Sequence, residues 1–212
     1  MRPLLALTIF IASALYLQTG LAKDSFAVPP TENVSGISQS EWSLRWWKWA
    51  NSFERKDSPI SDQTGELCGS RQGGSLWFLA GTYGTHRTIR TCKIPKQKYL
   101  FFPLINYLVT PRVSHSSSCE SVTNTAAGIT DNPSALVLDL DGKQVKDLVP
   151  YRQATECFET QSLKNRKVWV YPSAANGYYV MLRPLSPGKH TLNFGGILPD
   201  MMQAVTYTLE VE

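Results

Sequence analysis

The sequence predicts a mainly β protein, a β-sandwich with one N-terminal amphipathic Trp-rich helix packed on it. Three observations lead there. Many short apolar runs are separated by Gly and Pro turns, the pattern of two packed sheets. One stretch, SEWSLRWWKWANSF at residues 40–53, has helical rather than alternating periodicity. Four cysteines follow an apolar N-terminal run, which fits a disulfide-tied chain from an oxidising compartment.

Residues 1–22 read as a secretory signal peptide. Arg2 precedes an apolar run at residues 4–17, and Gly20 and Ala22 stand at the minus three and minus one positions of a cut. The run is shorter than the roughly 20 residues that span a bilayer, and no cysteine follows it to carry a lipid. The mature chain is therefore expected to be exported, to periplasm or medium, with no stable membrane insertion. Residues 23–39, polar and holding Pro29-Pro30, read as an extended leader, and residues 40–212 as a single domain. Asn33-Val34-Ser35 fits a glycosylation sequon, a short match of low specificity.

The helix starts at a capping box, Ser38 with Glu41 three residues later. Trp42, Trp46, Trp49 and Phe53 recur at spacings of four, three and four and form one aromatic stripe, expected to face the core. Trp47 lies more than 90° round the helix, near Leu44, and is expected to be an exposed stacking surface.

Strands follow. Residues 75–82 (SLWFLAGT) read as a central strand and residues 88–94 (TIRTCKI) as the next. Pro103 makes residues 98–109 an edge or bulged strand, because proline cannot donate to the ladder. Residues 110–133, rich in Ser, Thr and Asn, read as a long loop tied by Cys119. The second half is a meander with turns at Asp141-Gly142 and Pro187-Gly188. In its last strand Val205, Tyr207, Leu209 and Val211 face one way and Thr206, Thr208 and Glu210 the other. Cys68, Cys92, Cys119 and Cys157 allow three connectivities. The pairing expected is Cys68 with Cys92, flanking one strand, and Cys119 with Cys157, closing a long loop.

Several chemistries find no motif. The formal net charge is +4 and the basic residues are scattered, with minor clusters at Lys93, Lys96, Lys98 and at Lys164, Arg166, Lys167; a nucleic-acid partner calls for a denser basic face. There is no C-x-x-C, G-x-S-x-G, H-E-x-x-H or P-loop, so no metal or other cofactor is expected. Of His86, His115 and His190, only His190 sits in a strand, sharing a face with Leu192 and Phe194. It reads first as a structural histidine and second as a ligand contact. Asp139, Asp141 and Gly142 resemble the start of a calcium loop, but a hairpin explains them without an ion. Asp62, Glu66, Asp139, Asp141 and Glu156 supply carboxylates for a hydrolase, with nothing in the sequence to pair them.

The densest set of special residues is at 62–90. Gln72, Arg90 and Asn106 are polar groups in or beside apolar strands, either a network that sets strand register or a small polar pocket beside Trp77. Gly81 is expected to admit a close neighbour to its backbone.

At these positions the chain resembles an uncharacterised family of exported bacterial proteins. The resemblance rests on W-x-x-x-W-W-x-W at 42–49, Asp62 with Gly65, Cys68, Gln72, WFLAGT from Trp77, RTC at 90–92, FFPLIN from Phe101 and GYYVMLRPLSPGKH from Gly177. It spans most of the mature chain and implies export and a shared fold, but no activity. Residues 114–125 lie outside the pattern.

The leading expectation is a non-enzymatic exported protein binding a carbohydrate or protein of the cell envelope or medium, through Trp47, Gln72, Trp77, Arg90, Asn106 and His190. Its rivals are a secreted hydrolase using a carboxylate pair and a structural or assembly protein of the envelope.

Overall fold

Two five-stranded sheets and one aromatic helix form three layers. The structure is a computed structural model that describes residues 25–83, 86–162 and 167–212; the signal-peptide reading lies outside them. The helices are α1 (Gln39–Ala50), α2 (Pro111–Ser114) and α3 (Cys119–Ile129). The strands are β1 (Leu76–Phe78), β2 (Thr88–Ile94), β3 (Tyr99–Val109), β4 (Ala135–Leu140), β5 (Lys143–Gln144), β6 (Arg152–Ala154), β7 (Phe158–Gln161), β8 (Trp169–Leu182), β9 (Gly188–Leu198) and β10 (Met201–Val211).

The first sheet runs β1-β3-β8-β6, with β7 also paired to β8. The second runs β2-β10-β9-β4-β5, with β2 parallel to β10 and the rest antiparallel. Between them lies a core of Leu100, Phe102, Val180 and Leu182 against Ile94, Leu192, Phe194 and Leu209. The opposite face of the first sheet is covered by α1, where Phe101, Tyr179 and Met181 meet the tryptophans. This double cover explains why β8 is buried without interruption from Pro172 to Leu182, whereas β2 alternates strictly.

The aromatic stripe of α1 is buried as its spacing predicts, and Ser38 caps the helix by accepting from Glu41 N. Each indole N–H has its own acceptor. Trp42 donates to Val34 O (3.1 Å), Trp46 to Leu79 O (3.0 Å), Trp47 to Tyr179 Oη (2.8 Å) and Trp49 to Ser70 O (3.0 Å). A buried indole without an acceptor would forfeit much of its hydrophobic gain, so these bonds fix how α1 lies on the sheet.

Three expectations change, and one that left two alternatives open is settled. The leader is extended but belongs to the domain: Ala27 bridges Leu182, Val28 N donates to Met181 O, and Ala27, Val28 and Val34 are buried. The strand at WFLAGT is short and at the sheet edge, because β1 pairs with β3 alone. β3 is the bulged strand that Pro103 predicts, with a register shift between Pro103 and Ile105; it is internal to the sheet, and β1 ends at Phe78 opposite Phe101, before Pro103. Residues 111–129 hold two helices rather than a loop; Ser118 caps α3, whose Val122 and Ala126 pack on Val109 and Ala174. Disulfides join Cys68 to Cys92 and Cys119 to Cys157, the latter tethering α3.

Trp49, buried and hydrogen-bonded at the centre of this aromatic layer, gives a direct measure of it. Trp49→Ala is expected to cost about 3–5 kcal/mol of stability in denaturant unfolding with the disulfides intact. A loss below about 1 kcal/mol would place the helix off the core.

Candidate functional site

A cavity of about 730 Å³ opens where the cover over the first sheet ends. Such a volume suits a small molecule. Trp46, Trp47 and Asn51 of α1 form one wall, and Asn106, Tyr107 and Leu108 of β3 another. These three β3 residues are only partly buried, in contrast to the fully buried run before them. α2, β7 and the β9–β10 turn close the remaining sides, with Met201 and Met202 contributing sulfur.

Two of the six expected site residues line this cavity, Trp47 and Asn106. Trp47 is not the exposed platform its wheel position suggests. It is 8% exposed, stands edge-on to Trp46 with centroids 5.1 Å apart, and donates to Tyr179. Leaving the stripe brings it to the face of β8 rather than to solvent, since the helix is seated against more than one neighbour. Asn106 lies across the ladder from Gly177, where a Cβ would stand 2.5 Å from the Asn106 Cα. Only glycine allows that approach.

The other four are elsewhere. Gln72 clamps a turn onto β1: its Nε2 donates to Cys68 O and Phe78 O, and its Oε1 accepts from Phe78 N. Trp77 packs partly buried against the inter-sheet core, its buried Nε1 without a hydrogen-bond partner among the described residues. No polar pocket of Gln72, Arg90 and Asn106 forms beside it, because the first two spend their groups on backbone carbonyls.

Arg90 is fully buried and braces the cavity from behind. Its guanidinium donates to Asp62 O, Ala80 O, Gly81 O, Ile60 O and the Tyr207 hydroxyl, at 2.8–3.2 Å. Carbonyl dipoles rather than a carboxylate thus meet the charge. Ile60 and Gly81 are themselves cavity residues, so Arg90 sets the wall's position without reaching the space. The Asp62 side chain is occupied separately. Burial works against its ionised form, yet N–H bonds from Leu67, Thr64 and Gly65 outweigh that and hold its pKa below the ordinary value.

His190 and Asp141 form a clasp on the β4–β5 hairpin. His190 Nδ1 lies 2.7 Å from Asp141 Oδ2, and Nε2 lies 2.9 Å from Ser186 O. Both ring nitrogens face acceptors, which favours the imidazolium. Desolvation opposes this, but the Asp141 and Ser186 bonds prevail and raise the pKa above 6.5. An imidazolium with both N–H groups so committed has no lone pair to offer and is a poor general base.

Sequence reasoning missed Gln203, Tyr179 and Gly177. Gln203 fills the β3 irregularity: Nε2 donates to Pro103 O and Leu104 O, and Oε1 accepts from Thr82 N. A Cβ on Gly81 would stand 2.2 Å from that Oε1, which identifies the close neighbour expected there. The signal was present, since Gln203 shares the parity of Val205, Tyr207 and Leu209, a polar residue on an apolar face. Among the described residues the most exposed aromatics are Trp169 and Tyr171, at 60% and 61%, on one face of β8.

Among the described residues no group of three or more His, Cys, Asp or Glu is placed to hold a metal. Asp200 is the one described carboxylate lining the cavity, so the carboxylates considered for a hydrolase do not meet there.

No protein-family model and no curated protein matches the chain. It is similar to the solution structure of amebosin over 66% of this chain and 100% of that one, at 8% identity; the TM-score of 0.26 carries no argument on fold or function.

The clasp makes stability depend on pH. A folded-state pKa raised above the unfolded value means that the His190 contribution is complete below about pH 6.5 and is lost as pH rises through the folded pKa. NMR titration is expected to give His190 a pKa above 6.5, lowered by Asp141→Asn. An unchanged pKa in that variant would show that Asp141 does not hold the proton.

Proposed function

We propose that this chain is an exported, non-enzymatic binding protein whose ligand occupies the cavity between α1, β3 and the β9–β10 turn. The observation that carries this reading is the cavity itself: about 730 Å³, walled by two indoles, two tyrosines, a leucine and methionines, with polar side chains among them. Its shape favours a small molecule of the envelope or medium over a protein surface. Two disulfides, and the absence among the described residues of any helix long and apolar enough to cross a membrane, agree with export.

A second reading, a carbohydrate or protein docking on the outside of the fold, is supported by Trp169 and Tyr171. They stand two residues apart on one strand face, where their exposed rings suit stacking.

Titration of the disulfide-intact mature protein with N-phenyl-1-naphthylamine tests the first reading. Saturable one-to-one binding with quenching of indole fluorescence is expected. Leu108→Trp, which fills the cavity, is expected to weaken it at least about tenfold with little change in melting temperature. Absence of saturable binding, or equal affinity in Leu108→Trp, would overturn the cavity as the site.

A further inference from the structure

A chain of three side chains decides which end of an amide faces the cavity. Trp47 Nε1 can only donate, and it lies 2.8 Å from Tyr179 Oη. Tyr179 is completely buried, and burial, against the bonds from Asn106 and Trp47, raises its pKa far above the ordinary phenol value. Its hydroxyl therefore keeps its proton and needs an acceptor. The other polar atom in reach among the described residues is one end of the Asn106 carboxamide, with Nδ2 placed 3.1 Å away.

An amide nitrogen at that place would aim two donors at one oxygen and leave the Tyr179 hydrogen buried and unpaired. Turning the amide by 180° exchanges two atoms of similar size and resolves this. The hydrogen-bond chain then runs from Trp47 N–H to the Tyr179 hydroxyl and on to Asn106 Oδ1. The end of the Asn106 amide turned away from Tyr179 makes no hydrogen bond with the described residues, and after the turn it is the NH2 group that stands there, left for the cavity that Asn106 lines.

We infer that the ligand is a neutral, mainly apolar molecule bearing one carbonyl-type acceptor, a ketone, ester or amide oxygen, that accepts from Asn106 Nδ2. This rests on the cavity being the binding site. Of the other amides that line the cavity, Gln203 has both ends committed to backbone groups, Asn51 donates to Thr160 Oγ1, and Gln161 lies at the end of β7. An anionic acceptor is disfavoured by the placement of charge. Arg112, the one described cation lining the cavity, is exposed, and the Arg90 guanidinium is spent on the wall behind. A carboxylate at Asn106 would be stripped of water with no ion to meet it.

The test is displacement of bound N-phenyl-1-naphthylamine from the mature protein by 2-nonanone, nonane and nonanoate, in wild type, Asn106→Leu and Asn106→Asp. In wild type the ketone is expected to bind about tenfold more tightly than either of the others. That advantage is expected to vanish in both variants, while nonane binds all three proteins alike. Asn106→Asp keeps an acceptor for Tyr179 and removes the donors, so it decides the matter if Asn106→Leu does not fold. Equal affinities of ketone and nonane in wild type, a preference for nonanoate, or a ketone preference that survives Asn106→Asp would overturn the inference while leaving the cavity as the site. If the fluorophore does not bind at all, both readings fall.

Discussion

Four indole N–H groups on one short helix, each requiring an acceptor, constrain the rest of this protein. Burial of the rings supplies the driving force, but apolar contact is tolerant of direction. The hydrogen bonds are not. Their acceptors belong to the leader at Val34, the chain beyond β1 at Leu79, the loop at Ser70 and the hydroxyl of Tyr179 in β8. Satisfying all four together gives α1 one position and ties it to four separate segments. The leader is part of the domain for this reason, not merely a tail in front of it.

Once α1 is seated, the first sheet becomes a middle layer with both faces covered. β8 then has no solvent face and reads as a continuous buried run, while the second sheet keeps outward positions free for polar side chains. The cavity lies at the margin of this cover, where α1 ends and β3 is irregular around Pro103. That irregularity leaves carbonyls at Pro103 and Leu104 that Gln203 satisfies from β10, so the second sheet also helps to build the wall. Arg90 does the same from β2 through the carbonyls of Ile60 and Gly81. The site is therefore a product of all three layers, and each of its polar anchors answers a backbone group that the strand ladders leave unpaired.

Periodicity made α1 and its stripe legible, because a helix that buries one face must repeat its apolar residues at that face. Pairing of Cys68 with Cys92 is one of three connectivities the sequence allows, the one favoured by their positions on either side of one strand, and the one observed. Trp47 was misread for a physical reason: a helical wheel tells how far a residue lies from the stripe, not whether a second surface waits there. Gln72 and Arg90 stand out in the sequence as polar groups in or beside apolar strands, yet a buried polar side chain looks the same there whether it serves a ligand or a carbonyl. Residues 111–129 were mistaken for loop because Ser and Thr are weak helix formers, and packing on β3 and β8 overrides that preference.

Local pattern thus decided the class of fold, the amphipathic helix and the sites of cross-linking, since each depends on residues near one another in the chain. Which β-strand lies at an edge, which tryptophan meets which acceptor, and the gathering of Trp47, Asn106, Gly177, Tyr179 and Gln203 about one cavity were decided only by tertiary structure. Those relations depend on the register of strands far apart in sequence, and register is set by the joint packing of both sheet faces.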